Sequence, residues 1–171
     1  SYLKEKYQKP GNVFLGMVHR LDRPVSGAVV FGKTSKAASR LSEQIRLHQM
    51  QKNYQAIVEG EINKGASLVH YLRAVEGEPT EVSNVPAEGF KRAELSYQVV
   101  GRKRGFTLVD IQLETGRRHQ IRAQLSRIGH PILGDAKYGS TTAFLPGSIA
   151  LVSHSLKFKH PVRDEILSFE L

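Results

Sequence analysis

The sequence contains no cysteine and no tryptophan among its 171 residues. The absence of cysteine excludes disulfide bonds and thiolate metal sites, and it fits a reducing compartment. No apolar run approaches the ~18 residues that a membrane-spanning helix requires, and the first residues do not have the pattern of a secretory signal. These absences predict a cytoplasmic protein that does not enter a membrane.

Acidic residues are also scarce. Lys and Arg together number 25 against 16 Asp and Glu, which gives a net charge of +9 at pH 7. This balance favours a polyanionic partner, most simply a nucleic acid. A membrane surface fits less well, because no predicted helix combines a basic face with exposed Trp, Phe and Leu. Hydrophobic residues make up 40% of the chain, which is enough for one folded, monomeric domain.

Apolar periodicity predicts a chain rich in strands with two clear helices, over residues 34–48 and 117–128. Strands are predicted over residues 13–18, 28–31, 53–58, 68–75, 93–100, 106–114, 149–158 and 165–171. The first two of these are expected to be buried. Residues 77–89 and 101–105 are expected to be loops. Because strands and helices do not alternate regularly, the order favours an α+β fold, with a mixed, mainly antiparallel sheet and helices packed on it.

The stretch Arg20-Leu21-Asp22-Arg23 lies between the first two predicted strands. A carboxylate between two guanidinium groups is expected to be ionised at neutral pH, because nearby positive charge lowers its pKa. A positioned, ionised carboxylate can act as a nucleophile or as a base. The alternative is a structural Asp–Arg pair in a loop, which is the commoner role of an isolated Arg-x-Asp.

A second cluster occupies residues 115–122, where three arginines and a histidine stand at the predicted start of a helix. Free backbone N–H groups at a helix start favour an anion. Arg118 and Arg122 are predicted to share a helix face and to repel each other unless an anion compensates. A solvated basic face is the alternative. The candidate anions are Asp22, an RNA phosphate, Asp110 and Glu114.

The seven histidines include no His pair four residues apart and no His-Glu-x-x-His motif, so metal ligation is not expected. His119 is interpreted as a hydrogen-bonding structural residue, and His48 as packing on the apolar face of the first predicted helix.

Four ordered motifs resemble those of the RluA-type pseudouridine synthases, which isomerise uridines in RNA. They cover about residues 13 to 160 and come in the family's order. The motifs are His19-Arg20-Leu21-Asp22-x-x-x-Ser26-Gly27, Lys52-x-Tyr54-x-Ala56-x-Val58-x-Gly60, Thr115-Gly116-Arg117-x-His119-Gln120-Ile121-Arg122 and Gly129-x-Pro131-Ile132-x-Gly134-Asp135-x-x-Tyr138-Gly139.

The resemblance implies roles for individual residues. Asp22 matches the family's catalytic aspartate and Arg122 the arginine that pairs with it. Tyr54 matches an active-site tyrosine that stacks near the target base and is implicated in proton transfer. Arg20 matches the arginine associated with displacing the flipped nucleotide. Further contacts with RNA or substrate are expected from His19, Arg23, Arg117, Arg118, Ile132 and Leu133, the last two as the apolar wall of a uracil pocket.

The resemblance also implies the chemistry. Pseudouridylation breaks the N-glycosidic bond of uridine, turns the base and forms a C–C bond without a redox step, so no cofactor and no metal are expected. The sequence leaves open whether Asp22 forms a covalent sugar adduct or starts an elimination through a glycal. The expected substrate is a structured rRNA or tRNA, from which the base must be extruded and whose phosphates supply most of the affinity.

The sequence departs from the family's pattern in two single positions, Val25 in place of Thr and Gln124 in place of His, and neither belongs to the catalytic set. The family normally has a further strand and a Lys-Pro-x-Gly segment before Val13, and Lys9-Pro10-Gly11 is not that segment. The expectation is therefore one catalytic domain over residues 1–171, short at its N-terminus and without a small RNA-binding domain of the S4 type.

Two other functions stay open. A catalytically silent RNA-binding module would keep the fold and the basic surface without turnover. A hydrolase that uses Asp22 is less well supported, because no second carboxylate lies at a recognisable spacing from it.

Overall fold

The computed structural model describes residues 2–6, 8 and 13–171, so Lys9-Pro10-Gly11 lies outside the described residues. No helix in these ranges is long and apolar enough to cross a membrane. The described helices are α1 (Tyr2–Lys6), α2 (Ser35–Arg46) and α3 (Gln120–Arg127), followed by a 3₁₀ turn over Ala136–Tyr138. The described strands are β1 (Gly16–Met17), β2 (Ser26–Gly27), β3 (Phe31–Gly32), β4 (Gln51–Glu59), β5 (Ala66–Arg73), β6 (Glu81–Ser83), β7 (Lys91–Lys103), β8 (Phe106–Leu113), β9 (Leu151–Lys159) and β10 (Ile166–Glu170).

Eight of these strands form one large sheet in the order β10-β9-β4-β8-β7-β5-β6, with β2 attached to β9. The neighbours along this order are antiparallel, whereas β2 runs parallel to β9. Strands β1 and β3 form a separate antiparallel pair. The predicted α+β class, with a mixed and mainly antiparallel sheet, is confirmed.

The main core lies between the central strands and α3. On β4 the side chains of Tyr54, Ala56 and Val58 are buried and alternate with more exposed neighbours, as the sequence predicts. The neighbouring strand β8 shows the same alternation. Ile121 and Leu125 of α3 pack into the same cluster. This packing places the start of α3 beside the early part of β4.

Helix α2 begins where the sequence predicts. Thr34 is its N-cap, and its hydroxyl oxygen accepts a hydrogen bond of 3.1 Å from the Ala37 N–H. The helix ends at Arg46, and His48 beyond it is exposed with a φ of +56°. The prediction that His48 packs on the helix face is therefore wrong, because the helix stops before reaching it.

Helix α3 begins at Gln120, three residues later than predicted, because His119 adopts a left-handed conformation with φ 52° and ψ 26°. In the segment just before the helix, the Thr115 hydroxyl and the Arg117 N–H donate hydrogen bonds to the Gln120 side-chain oxygen. The helix ends at Arg127 with Ile128 as its C-cap, and Gly129 follows with positive φ, as predicted. The Gly129 N–H donates to the carbonyl of residue 126. Arg117 and Arg118 therefore precede the helix.

The first two predicted strands are not buried. Only Gly16–Met17 and Phe31–Gly32 form ladder pairs, while Phe14 and Met17 are 47% and 65% exposed. Both glycines face Ala38 of α2 so closely that a β-carbon on either would lie within 2.7 Å of it. The two glycines contact the helix, Val18 and Val30 are only partly buried against it and its neighbours, and Phe14 and Met17 are left exposed.

Two predicted loops also contain more strand than expected. The short strand β6 lies within the predicted loop 77–89. Strand β7 extends to Lys103, so the predicted loop 101–105 shrinks to the turn Arg104-Gly105, where both residues have positive φ. Such a two-residue turn matches the twist of the flanking strands.

Candidate active site

A cavity of about 590 Å³ opens beside the start of α3. Its wall is built from the loop before β2, the end of α2, the first half of β4, and the segment that joins β8 to α3. Six of the predicted site residues line it, and Arg23, Arg118, Ile132 and Leu133 do not. The six that line it are His19, Arg20, Asp22, Tyr54, Arg117 and Arg122.

The loop that carries Asp22 is fixed at both ends. On one side the His19 ring nitrogen Nε2 accepts a hydrogen bond of 3.1 Å from the Val30 N–H. This contact requires a neutral ring, and burial together with the charge of Lys52 lowers the pKa of His19. On the other side Gly27 pairs with Ser153 of β9. The carboxylate is thus presented from a loop with little freedom to move.

Replacing Gly27 is expected to displace this loop. Gly27 has a φ of +124°, and a β-carbon there would lie 2.5 Å from both the N and the O of Ser153. Gly27→Ala should therefore cost on the order of 3 kcal/mol of the free energy of unfolding, measured by urea denaturation. Gly77→Ala is the matched control, because Gly77 also has positive φ but has no atom within 4 Å of the added carbon. Equal losses in the two variants would contradict the packing argument.

The Asp22 carboxylate contacts groups that are distant in sequence. Its Oδ2 lies 3.5 Å from Nη1 of Arg122 and 3.9 Å from Nε2 of His119. Arg20 and Arg23, its neighbours in the chain, form no ion pair within 4.0 Å of it among the described residues. The Asp22 side chain is 28% exposed, so a molecule in the cavity can reach it.

Arg122 is held by a second carboxylate that the sequence interpretation did not identify. Its Nε and Nη2 donate to Oδ2 and Oδ1 of Asp135 at 2.7 and 2.8 Å, and the Asp135 side chain is 1% exposed. The guanidinium carbon lies 4.8 Å from the centre of the Tyr138 ring. Burial by itself would lower the pKa of Arg122. The hydrogen bonds to Asp135 and its negative charge outweigh that effect, so the pKa of Arg122 is raised. The predicted counter-anions Asp110 and Glu114 take no part in this pair.

His119 belongs to the same network. Its Nδ1 lies 2.8 Å from the Tyr138 hydroxyl, which accepts a hydrogen bond of 2.8 Å from the Thr80 N–H. Burial lowers the pKa of His119, and nearby cations, first Arg122, add to that effect, while Asp22 opposes it. The prediction that His119 forms a hydrogen bond is confirmed, and its ring also lines the cavity.

Comparison with known proteins places the chain in a family. The family model described as RNA pseudouridylate synthase matches residues 1–127. The chain belongs to the RNA pseudouridylate synthase family. This confirms the resemblance to the RluA-type pseudouridine synthases. Residues of the first three motifs line the cavity around Asp22.

Curated relatives agree with this assignment. Ribosomal large subunit pseudouridine synthase C of Yersinia pestis is 35% identical over 170 residues, covering 95% of this chain and 53% of the relative. tRNA pseudouridine synthase C of Pectobacterium carotovorum is 32% identical over 172 residues, covering 90% and 46%. The chain thus spans about half the length of these curated relatives.

A solved structure agrees on the fold. Human RNA Pseudouridylate Synthase Domain Containing 1 superposes with a TM-score of 0.81, covering 99% of this chain and 71% of that one, at 21% sequence identity. At this identity the likeness shows that the two proteins share an architecture.

Tyr54, from the second family motif, lines the cavity from β4 and is 8% exposed. Burial raises the pKa of its hydroxyl, and the Asp22 charge adds to the shift while Ser153 opposes it. The phenol therefore holds its proton at neutral pH, beside the carboxylate.

Arg117 and Arg118, from the third family motif, do not share a helix face with Arg122. The Arg117 Nε donates to the carbonyl of residue 92 at 3.0 Å. The Arg118 Nη1 donates to the carbonyl of Val75 at 2.5 Å. The prediction that Arg118 and Arg122 share a helix face is wrong, because the helix begins only after the left-handed residue 119 and Arg118 lies outside it.

Two residues of the fourth family motif do not form the predicted apolar wall of the cavity. Ile132 is fully buried in the core, where it forms a bridge with Val58 of β4. The Leu133 N–H donates to the carbonyl of Ile57, and Leu133 packs against the same core. This segment lies along β4 as an added strand-like stretch. The apolar side chains on the cavity wall are Leu21, Val25, Ile45, Met50, Leu113, Ile121 and Leu151.

No group of three or more His, Asp or Glu side chains within the described ranges is arranged to hold a metal ion.

Proposed function

We propose that this chain isomerises specific uridines to pseudouridine in structured RNA, either rRNA or tRNA. The observation that carries the proposal is the position of the Asp22 carboxylate. It is accessible from the cavity and lies 3.5 Å from the Arg122 guanidinium, which the buried Asp135 carboxylate holds in place. The names of the relatives, which act on ribosomal or transfer RNA, support the substrate class. The proposed catalytic residues are Asp22, Tyr54 and Arg122.

Asp22 is proposed to act at the sugar of the target nucleotide. In a covalent route its oxygen bonds to C1′ as the C1′–N1 bond breaks and the electron pair leaves with the uracil. The turned base then bonds to C1′ through C5 as the carboxylate departs, C5 loses its proton and N1 gains one. In an elimination route the same carboxylate takes a proton from C2′ as the C1′–N1 bond breaks and the uracil leaves with its electron pair, which gives a glycal. C5 of the turned base then bonds to C1′ as the proton returns to C2′. Both routes need a charged carboxylate beside the sugar.

The two other residues support that carboxylate. The Arg122 guanidinium lies 3.5 Å from the Asp22 carboxylate and is proposed to orient it. Tyr54 offers a flat face for the uracil ring and a protonated hydroxyl that can exchange a proton with it. Its position on β4, with a side chain 8% exposed, makes it part of the cavity floor.

The base is proposed to enter the cavity after leaving the RNA stack. The cavity, at about 590 Å³, lies within the usual range for small-molecule sites. Extrusion costs a few kcal/mol, and the exposed Arg20 at the cavity is proposed to fill the gap left in the RNA. Contacts of His19, Arg23, Arg117 and Arg118 with RNA, and the net charge of +9, would supply affinity that falls with added salt.

Residues 1–171 are proposed to form one catalytic domain that acts as a monomer. The proposed RNA substrates and the absence of cysteine from the sequence support a cytoplasmic location for the protein.

Pseudouridine mapping tests the proposal. In rRNA and tRNA from a strain that lacks the gene, at least one uridine should lose its pseudouridine signal. Incubation of that RNA with the purified chain should restore the signal at the same position. Identical maps with and without the gene, together with RNA binding by the purified chain, would instead favour the catalytically silent RNA-binding module.

A further inference from the structure

Lys52 is a cavity residue that the proposed reaction does not use. It lies on β4 two residues before Tyr54, so both side chains are on the same face of the strand. Its side chain is half-buried and lines the cavity. A β-carbon added to Gly116 would lie 3.4 Å from the Lys52 Nζ. The ammonium group therefore reaches from β4 to the backbone of the segment before α3.

The charge of Lys52 has no counter-ion within the described ranges. Its Nζ has no carboxylate oxygen within 4.0 Å and takes part in no hydrogen bond there. Its electrostatic neighbour is the neutral ring of His19, whose pKa it helps to lower. Burial without a partner also lowers the pKa of Lys52 itself. An anion that enters the cavity would relieve this cost.

Two other cations of the cavity wall are already paired with carboxylates. Arg122 is held by Asp135 and Asp22, and Arg46 pairs with Glu43 on α2. Lys52 differs from them because its charge is available to a ligand.

We infer that the Lys52 ammonium binds a backbone phosphodiester adjacent to the nucleotide that occupies the cavity. This inference rests on the proposed function, because it takes RNA as the ligand. Uridine itself is neutral, and the anionic groups of RNA are its phosphodiesters. A lysine binds such a group as a compact point charge with three donors. Gly116 has no side chain to cover the ammonium, so the space in front of it stays open.

Dinucleotide binding tests the inference. The probes are uridylyl-(3′→5′)-uridine and its analogue in which a neutral methylphosphonate replaces the single phosphodiester. The wild-type chain, followed by amide NMR titration of cavity residues, should bind the charged dinucleotide roughly tenfold more tightly. Lys52→Met and Lys52→Gln should bind both probes equally, at the affinity that the wild type shows for the neutral one.

Lys64→Met is the matched control, because Lys64 is exposed and does not line the cavity. It should keep the wild-type preference, and amide spectra away from the cavity verify that each variant is folded. A wild-type chain that responds to both probes alike, or to neither, contradicts the inference. So does a Lys52 variant that weakens both probes equally, since that places the ammonium on the base or sugar.

The outcomes separate this inference from the proposed reaction. A chain that prefers the charged dinucleotide but forms no pseudouridine in RNA keeps the phosphate contact and refutes the reaction. A chain that forms pseudouridine without that preference keeps the reaction and refutes the contact.

Discussion

Asp22→Asn is expected to abolish pseudouridine formation, by roughly 10⁴-fold or more in kcat, while RNA affinity stays within a few fold. The amide has nearly the shape of the carboxylate, but it can neither bond to C1′ nor take a sugar proton. Affinity should persist because the phosphate contacts of the basic surface supply most of it. The measurement is pseudouridine content after incubation of the purified variant with RNA from the deletion strain, beside a filter-binding titration.

Asp110→Asn controls for the loss of one negative charge. Asp110 is exposed on β8 and does not line the cavity, so its variant should turn over like the wild type. Turnover by Asp22→Asn at more than a few per cent of the wild-type rate would remove this carboxylate from the mechanism.

Asp135→Asn is expected to lose about 3–5 kcal/mol of the free energy of unfolding, along with most of the activity. The substitution leaves the guanidinium of Arg122, whose side chain is 6% exposed, buried without its bidentate carboxylate. Without Asp135, the Arg122 Nη1 that faces Asp22 is also no longer held in position. Urea unfolding measures the loss, and Asp110→Asn, which changes an exposed carboxylate, should stay within about 0.5 kcal/mol of the wild type.

A double-mutant cycle tests whether this loss comes from the pair. Arg122→Met alone should also be strongly destabilising, because it leaves the Asp135 carboxylate buried alone. The double variant Arg122→Met/Asp135→Asn should lose less than the sum of the two, since no unpaired charge remains. Its activity should not recover. Additive losses of stability would show that the two side chains do not act as a pair.

The central strands and helices were predictable because apolar and polar residues alternate strictly along the strands and the helices have well-defined caps. Tyr54, Ala56 and Val58 lie on the buried face of β4 because a strand has only two faces. The Thr34 cap and the turn at Gly129 depend on local backbone bonds that neighbouring residues supply. The motif order likewise identified Asp22, Tyr54 and Arg122, which the fold brings to one cavity.

Spacing along the chain could not predict the partners of these residues, because they depend on tertiary contacts. Arg122 pairs with Asp135 across the turn that follows α3, whereas helical spacing considers only residues three or four apart. The guanidinium that faces Asp22 is that of Arg122, a hundred residues along the chain. The family resemblance implied this pair, whereas proximity in the chain alone indicated Arg20 and Arg23. Ile132 is apolar and next to the catalytic motifs, but it packs into the core instead of the cavity.

Short apolar runs were the least informative pattern. Residues 13–18 are too few for periodicity to indicate which side is covered. In the fold two glycines contact α2, and large neighbours such as Met17 face outward.

A crystal structure of the Asp22→Asn variant bound to its RNA tests the central claim most directly, because it shows where the target nucleotide lies. The account predicts a uridine unstacked from the RNA, with its ring against Tyr54 and its C1′ beside residue 22, while Arg122 still contacts Asp135. A target uridine that stays stacked in the RNA, or one that binds outside this cavity, would contradict it.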